Sequence, residues 1–152
     1  MMTTLFEFMS IDHDRLDDLF EEFNKLAKSD MGKAKSLFDN FRAGLQRHII
    51  WEEDILFPIF ERATGMHETG PTAVMRMEHG QIKNILAAIH EKVLAGESDG
   101  IDGLGTQLLG VLGPHNVKEE NILYPAIDDL TNEQEKKQAI ERMTELPSEN
   151  FA

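Results

Sequence analysis

An eleven-residue phrase occurs twice in this chain and limits what the chain can fold into. Residues 48–58 read HIIWEEDILFP and residues 115–125 read HNVKEENILYP, with six of the eleven positions identical. In each copy a histidine precedes a glutamate by four residues, as His48 precedes Glu52. Four residues advance an α-helix by about one turn, so both side chains project from one face. The chain therefore carries two imidazole–carboxylate pairs, each suited to a metal ion.

Short segments rich in glycine, proline and polar residues divide the sequence into helical blocks. The breaks fall at 29–30, 64–71 and 95–100. Within each block the apolar residues recur at intervals of three and four, which is typical of an α-helix with one buried face. The blocks show no alternation of the kind that predicts a β-strand. We therefore expect an all-α fold.

Each predicted buried face has a histidine near its middle, and two of the faces also carry the glutamate of the repeated phrase. Six candidate metal ligands result: His13, His48, Glu52, His79, His115 and Glu119. The two histidines are 35 residues apart in the first half (48 minus 13) and 36 apart in the second (115 minus 79). Both halves thus have the layout of a helical hairpin. Two hairpins predict an antiparallel up-down four-helix bundle over about residues 8–128.

A fifth, shorter helix is predicted at about residues 131–146. The segment from Thr131 to Gln134 resembles a capping box, and Ala139 and Met143 lie on a narrow apolar edge. This helix is expected to pack outside the bundle or to form a homodimer. With 152 residues, 41% of them hydrophobic, the whole chain 1–152 is expected to be one domain.

The composition restricts partners and ligands. A net charge of -13 at pH 7 repels nucleic acid and anionic lipid, so we expect neither as a partner. A secretory leader and a membrane-spanning stretch are both missing from the sequence, which makes a cytoplasmic location the expectation. Because the sequence has no cysteine, any metal must be held by histidine and carboxylate.

Ionised glutamates on buried faces cost several kcal/mol unless they are paired, and these faces carry no lysine or arginine. Two divalent cations would supply the missing charge. Four imidazoles and two bridging carboxylates would give each ion two nitrogen and two oxygen ligands. A bridging oxo or hydroxo oxygen would add a fifth, and at least one ion would keep an open position. This donor set suits iron, and manganese and zinc also fit.

The sequence leaves open the roles of four neighbouring residues: Met75, Lys83, Glu120 and Tyr124. The methionine is expected to fill the core and the lysine to lie on the surface. Glu120 is a minor candidate for the role of Glu119, but Glu53 and Glu120 lie about 140° from their histidines and are expected to be solvated or to orient a ligand. Tyr124 could form hydrogen bonds or carry redox chemistry, although its repeat partner Phe57 favours packing.

The arrangement of these six residues resembles that of the haemerythrin-like HHE cation-binding family. In that family the first and third helices each supply a histidine, and the second and fourth helices each supply an HxxxE motif. The resemblance covers about residues 8–128. It implies that His13 and His48 bind one iron, that the histidines of the second half bind the other, and that both glutamates bridge the irons.

One departure from the oxygen carriers of that family bears on function. Those proteins have a second histidine on helix three, four residues from the first, and HxxxxD on helix four. The second histidine would lie four residues before or after His79, and this chain has Met75 and Lys83 at those positions. Its fourth helix has HxxxE, from His115 to Glu119, in place of HxxxxD. With one imidazole fewer, the second iron would have an additional open coordination position. Reversible carriage is therefore less favoured than sensing or reducing dioxygen, peroxide or nitric oxide.

We therefore expect a non-haem diiron protein that binds or senses dioxygen or a related small oxidant, with a role in stress response. The alternative is an enzyme, either a diiron oxidase or peroxidase or a relative of the iron–sulfur-repair branch of the family. Repair proteins of that branch usually have a cysteine-containing N-terminal segment, which this sequence lacks. A third hypothesis is a metal-free bundle used for protein interaction.

Overall fold

The computed structural model describes residues 3–147, and none of these residues forms a strand. The five helices are α1 (Leu5–Leu26), α2 (31–64), α3 (Pro71–Ala95), α4 (101–129) and α5 (Glu133–Thr144). The all-α prediction is confirmed. None of these helices has the length and apolar character needed to cross a membrane. The single domain over 1–152 stays a prediction, and residues 1–2 and 148–152 lie outside the described range.

The helices pack as the repeat predicts. Helix α1 packs on α2 and α3 packs on α4, so each predicted hairpin is a pair of contacting helices. Helix α2 also contacts α3, and α1 contacts α4, which brings the two hairpins together. The result is a helical bundle, and its up-down alternation stays a prediction.

Helices α2 and α4 change their hydrogen bonding in the middle. Helix α2 consists of α-helical Met31–Ile50, a π-helical turn at Trp51–Leu56 and α-helical Phe57–Thr64. Helix α4 consists of Ile101–Lys118, a π-helical turn at Glu119–Leu123, and Tyr124–Asp129. The amides after the two turns donate to carbonyls five residues back, Phe57 to Glu52 and Tyr124 to Glu119. Both π turns therefore begin at or next to a predicted metal ligand.

A proline follows each π turn and gives a physical reason for it. Pro58 and Pro125 have no amide hydrogen, and a proline ring collides with the carbonyl of the preceding turn in a regular α-helix. A π turn relieves that collision by accommodating an extra residue. The carbonyl of Glu53, five residues before Pro58, accepts a hydrogen bond from Nη2 of Arg76 at 3.2 Å. Helix α3 thereby supports the widened turn of α2.

Two apolar clusters fill the bundle, and the predicted ligands lie between them. Along α1, Met9 belongs to one cluster and Leu16 to the other, with His13 between them. Helix α3 repeats this order around His79, and Met75 is buried as expected for core filler. The polar site is thus closed by hydrocarbon side chains on two sides.

The ends of α1, α4 and α5 meet at one side of the bundle. The carboxylate of Asp128 accepts hydrogen bonds from the amides of Leu5 and Phe6, at 2.8 and 3.0 Å, and so satisfies two free amides at the start of α1. This contact joins the first helix of one hairpin to the last helix of the other.

The capping box predicted from Thr131 was wrong by one residue. The side chain of Asn132 accepts from the amide of Glu135, whose carboxylate accepts in return from the amide of Asn132. The Thr131 hydroxyl donates instead to the carbonyl of Ile127 at the end of α4. The apolar edge of α5 packs into the second apolar cluster of its own chain. A homodimer through this helix stays a prediction.

Candidate metal centre

The six predicted ligands lie together in the interior of the bundle. Each of the helices α1 to α4 contributes one imidazole, and α2 and α4 each add one carboxylate. The exposed fraction is 3% or less for every one of them: His13, His48, Glu52, His79, His115 and Glu119. The sequence prediction that six polar side chains share one interior space therefore agrees with their placement.

One group of ligand atoms comes from the histidines of the first hairpin. Nε2 of His13 lies 3.2 Å from Oε1 of Glu119, and Nε2 of His48 lies 3.7 Å from Oε2 of Glu52. Two imidazole nitrogens thus face one oxygen from each glutamate.

The second group comes from the histidines of the second hairpin. Nε2 of His79 lies 3.0 Å from Oε1 of Glu52, and Nε2 of His115 lies 3.2 Å from Oε2 of Glu119. Each glutamate therefore offers one oxygen to each group, which is the arrangement of two carboxylates that bridge two ions.

The chemistry of these groups fits metal ions. Nitrogen and oxygen ligands bind a metal ion at about 2.0–2.2 Å, so neighbouring ligands of one ion lie roughly 3 Å apart. The distances above are close to that separation. Oε2 of Glu119 is buried, and among the described residues it has no hydrogen-bond partner. A metal ion at this position would compensate the charge of that buried oxygen.

Two histidines are oriented by carboxylates of their own hairpin. Nδ1–H of His48 donates to Asp12 at 2.8 Å, and Nδ1–H of His115 donates to Glu78 at 2.9 Å. Such a bond fixes the tautomer and leaves the Nε2 lone pair free for a metal. This role of Asp12 and Glu78 was not among the sequence-based predictions. The available signal was an acidic residue directly before the α1 and α3 histidines in both halves.

The other two histidines are oriented by carboxylates of the opposite hairpin. Nδ1–H of His13 donates to Glu120 at 2.9 Å, and Nδ1–H of His79 donates to Glu53 at 2.7 Å. Of the two roles left open for these glutamates, the geometry supports orientation of a ligand. Glu120 does not take the place of Glu119.

Tyr124 reaches the centre of the site, so the prediction that favoured packing alone was incomplete. Its ring is fully buried in an apolar cluster, but its hydroxyl oxygen lies 2.6 Å from Oε2 of Glu52 and 3.0 Å from Oε1 of Glu119. The same oxygen lies 3.3 Å from Nε2 of both His13 and His48. Tyr124 therefore contacts all four ligand residues of the first group.

The protonation of the metal-free site follows from burial and from the two glutamates. Burial alone would lower the pKa of His13, but the hydrogen bond and negative charge of Glu119 outweigh it and raise that pKa to about 9. Burial also opposes protonation of His79, and the carboxylate of Glu52 raises its pKa to about 9. Burial and the charge of Glu119 raise the pKa of Glu52. Without metal, protons take up part of the charge balance.

A small cavity adjoins the ligand groups. Its volume is about 10 Å³, close to the space of one water molecule. Apart from the site histidines and Glu52, its walls are mainly hydrocarbon: Leu16, Leu45, Ile49, Ile82 and Leu112. A surface groove of about 680 Å³ lies between α1 and α4, and Asp17, Leu112 and Asn116 line both spaces. These three residues border both the groove and the site.

Comparisons with known proteins agree with this geometry. A protein named Iron-sulfur cluster repair protein YtfE, from Edwardsiella ictaluri (strain 93-146), is 33% identical over 104 residues. That match covers 62% of this chain and 46% of the relative, so the chain spans about half the length of that protein. No solved structure shows a significant match. The family profile described as Hemerythrin HHE cation binding domain matches residues 4–145, and the chain therefore belongs to this family.

Proposed function

We propose that this chain holds two iron ions through its four site histidines and two glutamates, and that it binds or senses dioxygen or a related small oxidant such as peroxide or nitric oxide. One observation carries the proposal: Glu52 and Glu119 each direct one oxygen toward each pair of imidazoles. Imidazole and carboxylate ligands with an open position suit iron, and manganese and zinc fit the same donors.

The cavity beside the ligands supports a small ligand. A space of about 10 Å³, roughly that of one water molecule, excludes a bulky organic substrate and leaves room for a very small ligand only. Its apolar lining also favours a neutral molecule over an ion. The size and polarity of this space are the reasons for preferring a dioxygen-sized ligand.

The protein residues around the site position the ligands and exclude water. Bound iron would supply an open coordination position and electrons for an oxidant. The four carboxylates on the Nδ1 atoms fix the direction of the imidazoles and raise their basicity: Asp12, Glu53, Glu78 and Glu120. The two apolar clusters keep bulk water from the site.

Iron loading tests the metal part of this proposal. Metal-free protein incubated with Fe(II) without oxygen is expected to take up two ions per chain. His48→Ala should lower that content, whereas His67→Ala, at an exposed position between α2 and α3, should leave it unchanged. Less than one ion per chain, with no effect of His48→Ala, would overturn the proposal and leave a metal-free interaction module.

Exposure to small oxidants tests the second part. The loaded, reduced protein is expected to develop ultraviolet and visible absorption bands of a bridged diferric site after oxygen is admitted, and a distinct spectrum with nitric oxide. A loaded protein whose spectrum ignores dioxygen, peroxide and nitric oxide would contradict binding or sensing. Iron content, measured on the same sample, separates that outcome from a failure to bind metal.

The similarity to an iron–sulfur cluster repair protein supports a second candidate function. In this alternative the diiron chain would supply iron to a damaged cluster in another protein. The test mixes loaded chain with an oxidatively damaged iron–sulfur enzyme and follows recovery of its activity. Recovery with wild type but not with Glu52→Ala would support repair. Recovery equal to that given by the same amount of free Fe(II) would contradict it.

A further inference from the structure

The two halves of the site differ by one oxygen atom. Tyr124 and Phe57 hold the same position in the repeated phrase. The Tyr124 ring centre lies 5.7 Å from that of His13, and the Phe57 ring centre lies 5.8 Å from that of His79. The two rings therefore stand in matching places beside the two ligand groups. Only the first group has a phenol oxygen next to it.

The surroundings of that oxygen are those of a metal ligand. A phenol has one proton and can donate it to one acceptor at a time. The Tyr124 oxygen nevertheless has four polar neighbours within 3.3 Å, and all four are atoms of the first ligand group. These separations of 2.6–3.3 Å from the phenol oxygen are those expected between neighbouring ligand atoms of one ion with bonds of about 2.1 Å.

We propose that Tyr124 is a metal ligand whose phenolate oxygen binds the ion held by His13 and His48. The inference rests on the proposed diiron site. As the oxygen–metal bond forms, the O–H bond of the tyrosine breaks and its proton passes to solvent, as happens when protein ligands bind metals.

This ligand makes the two ions unequal. The ion beside Tyr124 has five protein ligand atoms, whereas the ion held by His79 and His115 has four, because Phe57 offers no oxygen. A small exogenous ligand therefore binds the second ion in preference to the first. The open coordination position therefore lies on the ion held by His79 and His115.

Spectroscopy of the iron protein tests this assignment without any mutation. Tyr124 is the one tyrosine of the sequence, so every tyrosinate signal belongs to it. The oxidised, iron-loaded protein is expected to show a phenolate-to-iron charge-transfer band in the visible region. Resonance Raman spectra excited in that band should show tyrosinate ring modes, which shift when the protein is made with ring-deuterated tyrosine.

Two variants provide the matched control. Tyr124→Phe removes only the oxygen and is expected to abolish the band while the iron content stays at two ions per chain. Phe57→Tyr in that background places a phenol beside the second ion and should restore a tyrosinate band.

The outcomes separate the two proposals. Wild type that binds two irons but shows no isotope-sensitive tyrosinate modes would overturn the role of Tyr124 and leave the diiron site in place. Wild type that binds no iron would overturn both.

Discussion

Each site imidazole has a glutamate oxygen within 3.7 Å of Nε2 and a second carboxylate hydrogen-bonded at Nδ1. For His48 the second partner is Asp12, which is itself paired with Arg15 at 3.0 Å. A carboxylate at Nδ1 makes the imidazole a stronger ligand than a neutral acceptor does. We therefore expect the affinity of the site for a metal ion to depend on residues outside the set of candidate ligands.

Asp12→Asn tests this dependence, because it keeps the shape of the side chain and removes its charge. We expect iron affinity to fall about 10–100-fold, measured by competition with a chelator of known affinity. Asp14→Asn is the matched control, since Asp14 is the other acidic neighbour of His13 and is exposed. Equal affinities of the two variants would contradict the role of Asp12.

The raised pKa values predict how the stability of the metal-free protein depends on pH. His13 and His79 have folded-state pKa values of about 9, above the ordinary value of 6.5. Because the folded-state pKa is raised, protonation of these two histidines stabilises the folded protein. This stabilisation is fully present below about pH 6.5 and is lost as the pH rises through 9.

We therefore expect the Tm of metal-free protein to fall between pH 6.5 and 9.5. Iron-loaded protein should show a smaller fall, because the ions replace the protons. Differential scanning calorimetry of both forms in matched buffers gives the comparison. A Tm of the metal-free form that rises across this range would contradict the assignment.

Helical periodicity predicted the ligands but not their neighbours, for a geometric reason. Five residues of a regular α-helix rotate by about 140°, which would point Tyr124 away from Glu119. The π turn bonds residues five apart and brings both side chains to the same side. Glu53 does point away from His48 on its own helix, and it meets His79 of α3 instead. A partner on another helix cannot be read from one helix's pattern.

At the scale of elements, the contact between α2 and α3 supports the widened turn that carries Glu52. Arg76 of α3 donates to the carbonyl of Glu53 and pairs with the buried carboxylate of Glu61 at 3.0 Å. Its guanidinium also lies over the Phe57 ring, 5.4 Å from the ring centre. One side chain thus satisfies a carbonyl of the π turn and a charge in the following α-helical turn.

Arg76→Met keeps much of the side-chain length and removes these hydrogen bonds. We expect a loss of about 2 kcal/mol in the free energy of unfolding, because the Glu53 carbonyl loses its side-chain donor and the buried Glu61 carboxylate keeps, among the described residues, only the Thr72 hydroxyl. Urea unfolding of the metal-free protein measures it. Arg62→Met is the matched control, since Arg62 is exposed on the same turn as Glu61 and should change stability by less than about 0.5 kcal/mol. A similar effect of both variants would show that Arg76 has no special role.

At the scale of the molecule, the metal centre joins four helices between two apolar clusters. The repeat was sufficient to predict the pairing of helices, because each half contains its own hairpin pattern. The hydrogen bonds from His13 to Glu120 and from His79 to Glu53 were not predictable, because they depend on how the two hairpins pack together. The same packing places the Asp128 carboxylate on the first amides of α1.

Metal binding should therefore stabilise the whole fold. A free metal concentration of 100 times the Kd raises the free energy of unfolding by about 2.7 kcal/mol for one bound ion. For a chain of this size, that corresponds to a rise in Tm of about 5–10 °C. The measurement compares thermal unfolding of loaded and metal-free wild type. His48→Ala should show a much smaller rise under the same conditions, and an identical rise would mean that the ions bind elsewhere.

In the proposed diiron form, the histidine–carboxylate bonds between the two hairpins would link release of the ions to separation of the hairpins. Glu120 holds His13 and Glu53 holds His79, so the halves cannot part without freeing one imidazole beside each ion. A chain cut by a protease in the exposed segment 65–69 should therefore separate into two pieces at a lower urea concentration after a chelator has removed the ions than while the ions are bound. Release of the ions and separation of the two hairpins would then be coupled events, each of which makes the other easier.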